Sequence, residues 1–107
     1  MKLTIILSTN NAETNWNAFR LGNTALKNDD VVSIFLVGEG VEYLKCSNDK
    51  YDVQKQVEIF LASGESEILA CETCMKSRNQ ETDKTCPISG ITALYNLIKV
   101  SDKVISF

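Results

Sequence analysis

The sequence predicts an α/β fold: a three-layer α/β/α sandwich on a five-stranded, mostly parallel, doubly wound sheet with strand order 2-1-3-4-5. Three observations predict it. Short apolar runs alternate along the chain with segments of helical, three-and-four spacing. Those runs lack the in-out alternation of a sheet with one wet face, as strands buried on both sides do. The 107 residues, 44% of them hydrophobic, supply one core with a radius of gyration of roughly 13 Å and not two. A single domain is therefore expected over residues 1–107. Right-handed crossovers between parallel strands then give the doubly wound arrangement.

Lys2–Leu7 is the first strand, rich in β-branched and leucine side chains. Asn11 follows as a helix cap, with Glu13 against the positive end of the dipole. From Ala12 to Lys27, Trp16, Phe19, Asn23 and Leu26 form one stripe, flanked by Ala18, Leu21 and Ala25, which predicts an amphipathic helix. Val31–Val37 is the clearest strand, ending in the loop Gly38-Glu39-Gly40, and Val41–Leu44 reads as a helical turn. A second long helix is expected from about Tyr51 to Ser63, inward at Val53, Val57, Phe60 and Leu61, with Gly64 just past its end. Glu67–Ala70 is the third strand and Thr73–Arg78 opens a helix. Asn79–Lys84 reads as a polar loop and Thr85–Ile88 as a very short fourth strand. Ser89 caps a helix through Val100 that turns Ile91, Leu94, Tyr95 and Ile98 inward, and Lys103–Phe107 is the terminal strand.

Composition excludes several classes of function. Eleven basic against fourteen acidic side chains leave a net charge of -3, the wrong sign for a surface that neutralises phosphates, so no nucleic-acid partner is expected. No apolar run approaches the ~20 residues that span a bilayer, and the opening segment is too short for a signal peptide. A cytoplasmic location with no membrane partner is the expectation. With no histidine, a Ser-His-Asp triad, a Cys-His pair and imidazole metal ligands are all ruled out. Chemistry then falls to thiols, carboxylates, cations and backbone dipoles, and the four cysteines become the residues to follow.

In an open parallel sheet the working loops lie beyond the carboxyl ends of the strands. Here these are Ser8–Asn11, Gly38–Gly40, Cys71–Cys74 and Cys86–Ser89, which makes Asn10, Asn11, Gly38 and Gly40 candidate pocket residues. Cys71 stands where a buried strand gives way to a helix, so free amide hydrogens and the dipole should lower its pKa. Thr73, Lys76 and Arg78 are candidate anion-stabilising residues, while Glu72 works against a thiolate. Cys74 completes a Cys-x-x-Cys and can reach Cys71 as an auxiliary thiol, or simply pack beneath the helix. Cys86, before the single proline Pro87, is a third candidate, as a resolving thiol or as pocket wall, and Cys46 reads as incidental. Structural zinc normally uses two paired knuckles, and only one Cys-x-x-Cys exists, so no metal is expected.

Met1–Asn10, Trp16–Arg20, Phe35–Glu42, Ala70–Arg78 and Ala93–Phe107 together resemble the DsrE/DsrF-like family of small sulfur-relay proteins. The likeness runs over essentially the whole chain. It is strongest to small stand-alone bacterial and archaeal members rather than subunits of dissimilatory sulfite-reduction operons. The resemblance implies a three-layer fold assembled as trimers or hexamers, with no cofactor. It also implies a cysteine at the end of the third strand that carries a persulfide and passes sulfane sulfur between donor and acceptor proteins. Cys71 matches that cysteine, and Cys74 a second one present in some subgroups. The chain departs from the pattern at Glu72, where close relatives often have glycine, and over Asn79–Thr85. Three readings follow: a persulfide carrier of sulfurtransferase type on Cys71, a dithiol redox protein or thiol sensor cycling Cys71-Cys74, and a non-catalytic assembly module.

Overall fold

The structure is a computed structural model that describes residues 1–79 and 88–107. Its elements are β1 (Lys2–Leu7), α1 (Ala12–Lys27), β2 (Val31–Leu36), a 3-10 turn (Gly38–Glu42), α2 (Val53–Leu61), β3 (Ser66–Cys71), α3 (Glu72–Ser77), β4 (Ile88–Ser89), α4 (Ile91–Val100) and β5 (Lys103–Ser106). The expected loop over 80–84 and the residues 85–87 of the short strand lie outside the described residues.

Among the described residues every strand pairing is parallel. Four strands of four to six residues run in the order β3-β2-β1-β5. On the free edge of β3 there is a two-residue pairing with β4, Ala70 with Ile88 and Cys71 with Ser89. This corrects the expected order 2-1-3-4-5, and of the expected very short fourth strand only Ile88 lies within the described residues. The reason lies in the side chains. β2 is buried on both faces from Val32 to Leu36 and needs a neighbour on each side. β3 carries Ser66 and Glu67, and β5 is exposed at all four positions, as befits strands toward the rim.

The winding direction sets the layers. The chain steps from β1 through β2 to β3 in one direction, then returns so that β5 lies beyond β1. With right-handed crossovers, α1 and α2 share one face of the sheet and α4 lies on the other. On the first face Leu3, Ile5, Leu7, Val32, Ile34, Leu36, Ile68 and Ala70 meet Phe19, Val57 and Phe60 in the main core. On the second, Phe35 and Cys71 pack under Leu94.

Local signals explain the helix ends. The Asn11 side chain accepts from the Thr14 amide at 2.9 Å, as its cap position predicts. α2 starts after Asp52, whose carboxylate accepts from the Lys55 amide at 3.0 Å, and it ends at Leu61 with Ala62 as its C-cap, short of the expected end at Ser63 with Gly64 just past it. Ser89 does not cap α4: it pairs with Cys71, and Gly90 takes the cap position without a side-chain bond.

α4 gives the largest departure from expectation. Only Leu94 of the four residues expected inside is buried, while Ile91 and Tyr95 are 67% and 59% exposed. Ile98, Val100, Val104 and Ile105 are exposed as well. A ten-residue helix, the only long one on its face among the described residues, can turn only one narrow stripe to the sheet, so the rest of its apolar surface stays exposed. No helix among the described residues is long and apolar enough to cross a membrane.

Candidate thiol site

The C-terminal ends of β2 and β3 bring the 3-10 turn and α3 together. Cys71 is the last residue of β3 and the cap of α3, held in extended conformation with φ -66° and ψ 119°. Strand parity points its side chain to the α4 face, where it is 8% exposed against Phe35 and Leu94. Burial is the largest influence and pushes its thiol above the ordinary range, the neighbouring Cys74 thiol acts in the same direction, and the backbone amides of Cys74 and Thr73 pull the other way. The expected depression of Cys71 is thus corrected. Sequence reasoning counted the amides at the strand-helix junction but not the two apolar side chains laid over them.

Cys74 is the thiol whose pKa is lowered. The Gly38 amide is the largest influence that lowers it, the neighbouring Cys71 thiol and the Arg78 charge act in the same direction, and burial opposes them. Gly38 has φ +53°, in the left-handed region that favours glycine, and this conformation belongs to the turn that presents the amide. The turn is pressed onto β1: the Val37 amide bonds the Leu7 carbonyl at 3.0 Å, and Gly40 sits so close that a Cβ there would lie 1.9 Å from the same oxygen. Arg78 ties the turn to α3, with Nε 3.2 Å from Glu42 Oε1 and Nη1 3.2 Å from the Cys74 carbonyl.

The other candidates divide. Thr73 acts through its amide, and Arg78 acts on Cys74 rather than Cys71. Lys76 is exposed and its charge is taken up by Glu72 at 2.9 Å, so its assignment as a thiolate-stabilising residue is corrected. Of the pocket residues, Gly38 reaches the thiols and Gly40 seats the turn, while Asn11 is used as the cap of α1 and Asn10 is exposed. Cys86 lies outside the described residues. Cys46 packs against the main core beneath α1, accepts from Asn15 Nδ2 at 3.2 Å and donates to the Tyr43 carbonyl at 3.1 Å, in a structural role. Phe35, Leu94 and Glu42 were missed. Strand parity relative to Cys71 could have found Phe35, whereas no local signal marks Glu42 as the partner of Arg78.

Two arrangements elsewhere bear on other chemistry. An open groove of about 450 Å³ between α1 and α2 is lined by Asn17, Arg20, Lys27 and Gln56, and contains neither thiol. Among the described residues no group of three or more metal-ligating side chains comes together.

The model of the DsrE/DsrF-like family matches residues 1–107. Among solved structures, the crystal structure of the ychN protein from E.coli superposes with a TM-score of 0.81, covering 100% of both chains at 20% identity. At that identity the likeness is one of fold. No curated protein matches the chain.

Proposed function

The chain belongs to the DsrE/DsrF-like family, and on that premise we propose that it is a sulfur-relay protein that carries a persulfide on Cys71 and passes the sulfane sulfur to a partner. The observation that carries this reading is the pair of neighbouring thiols where β3 gives way to α3, Cys71 under the influence of the Cys74 and Thr73 amides and Cys74 under that of the Gly38 amide. Such a pair suits sulfane-sulfur exchange, in which a thiolate attacks the outer sulfur of a donor persulfide and the donor leaves as a thiolate. The persulfide so formed is itself a nucleophile and can be passed on by a second exchange. The chemistry calls on no histidine, metal or organic cofactor. Donor and acceptor proteins are its partners, and the free thiols Cys71 and Cys74 suit a reducing compartment such as the cytoplasm.

Incubation with a persulfide donor should add one sulfur mass to Cys71, and Cys71→Ser should abolish the stable adduct, as read by peptide mass spectrometry. Unchanged labelling in that variant would overturn the reading. The nearness of the two thiols across the cap and first turn of α3 also favours a second reading, dithiol redox cycling, for which mild oxidation would remove two hydrogens reversibly from Cys71 and Cys74.

Self-association is part of the proposal. The exposed Ile91, Tyr95, Ile98 and Val100 of α4 form an apolar surface of the kind that subunits bury against one another. Tyr95→Asp with Ile98→Asp should convert an oligomer to monomer in sedimentation velocity. A native chain already monomeric at micromolar concentration would remove this part.

A further inference from the structure

We infer that the two thiols divide the relay, Cys74 taking sulfane sulfur from the donor and Cys71 receiving it from Cys74 and storing it. This rests on the persulfide-carrier reading and assigns an order of events within that site. The geometry separates the two sulfurs. Cys74 is half-buried and lies between the main core and the α4-side cluster, directly under the turn that begins at Gly38. Cys71 is buried in the α4-side cluster alone, under Phe35 and Leu94. An incoming donor therefore meets Cys74 first. Cys74 follows Cys71 by three residues, in the first turn of the helix that Cys71 caps, and the two thiols act on one another, so they are neighbours for a second exchange. The opposite pKa directions of the pair agree with this order, because the ionised thiol attacks and the more acidic thiol is the better leaving group.

The steps balance without an added oxidant or reductant. The Cys74 thiolate attacks the outer sulfur of a donor R–S–SH; a Cys74 S–S bond forms, the donor S–S bond breaks, and RS⁻ leaves. Cys71 then loses its proton to water and attacks the outer sulfur on Cys74. The new S–S bond forms on Cys71 as the one on Cys74 breaks, and Cys74 departs as a thiolate, ready for the next donor. The sulfane sulfur keeps its oxidation state throughout. It finishes on the thiol that is the poorer leaving group, beneath side chains that keep out soluble thiols.

The test uses the full chain with glutathione persulfide as the donor, quenched by alkylation and mapped by mass spectrometry over time. In the native chain the extra sulfur should appear first on Cys74 and then on Cys71. Cys74→Ser should slow loading of Cys71 by about tenfold or more while keeping the end point, since the slower thiol must then attack unaided. Cys71→Ser should load Cys74 at the native rate but lose the sulfur to glutathione about tenfold faster. A measurement needing no variant is the pH dependence of iodoacetamide labelling, in which Cys74 should react at lower pH than Cys71. Native-rate loading of Cys71 in Cys74→Ser, or the reverse order of labelling, would overturn the division of roles and leave the carrier reading standing. Release of sulfide with formation of a Cys71-Cys74 disulfide would overturn the storage role. Failure of every chain to load would instead overturn the carrier reading itself.

Discussion

Replacing Gly40 with alanine is expected to destabilise the chain and to raise the Cys74 pKa toward an ordinary thiol. The added Cβ would stand 1.9 Å from the Leu7 carbonyl oxygen and 2.7 Å from its carbon, both backbone atoms of a buried strand that cannot swing aside. The turn must lift instead. Overpacking of this kind costs about 1–3 kcal/mol, and each kcal/mol lowers Tm by roughly 4–8 °C in a domain of this size. Lifting the turn also draws the Gly38 amide from the Cys74 sulfur, removing the largest influence that lowers that thiol. Gly64→Ala is the control, because nothing lies within 4 Å of the Cβ it would add. Thermal melts at one fixed protein concentration, with labelling of Cys74 across pH, check both parts. A Gly40→Ala chain that melts with the native one would remove the packing argument.

Phe35→Ala should have a large effect on stability and should lower the pKa of the neighbouring Cys71 thiol. Phe35 is wholly buried and shares the α4-side cluster with Cys71 and Leu94. Emptying such a site costs about 3–5 kcal/mol, which at this chain length is a Tm loss of at least about 12 °C. Because burial is the leading cause of the raised Cys71 pKa, water entering the cavity should bring that pKa down and speed alkylation. Phe19→Ala provides the contrast. Phe19 lies in the core under α1 and α2, edge-on to Phe60 at 5.6 Å, so its loss should cost similar stability without moving the Cys71 midpoint. If both variants shifted Cys71 equally, the change would reflect general loosening and the local account would fail.

The legibility of this fold follows the range of the interactions involved. β1 and α1 occur at the residues expected of them, because the apolar period and the Asn11 cap act within a few positions of one another. β3 extends one residue beyond each end of its expected span, to Ser66 and Cys71, where pairing with β2 and β4 continues the ladder. Strand order was not legible, since two parallel strands of similar apolar content do not reveal which of them needs two neighbours. At the site, the place of Cys71 where β3 gives way to α3 was legible from residue type and spacing, while the reach of Cys74 toward it was one of two open readings. The identity of the more acidic thiol was not legible, because Gly38, Phe35 and Leu94 are distant along the chain.

From the sequence by itself came the class of fold, the absence of imidazole chemistry and the position of two thiols at the rim of a parallel sheet. These depend on residue type and on periods of two to four residues. Only the tertiary structure decided that α4 leaves its apolar stripe uncovered, that a glycine amide is delivered to Cys74, and that Cys71 is sheltered and raised. The physical reason is common to all three. Burial and hydrogen-bond direction are set by which segments the winding of the chain brings face to face, and no local pattern encodes that.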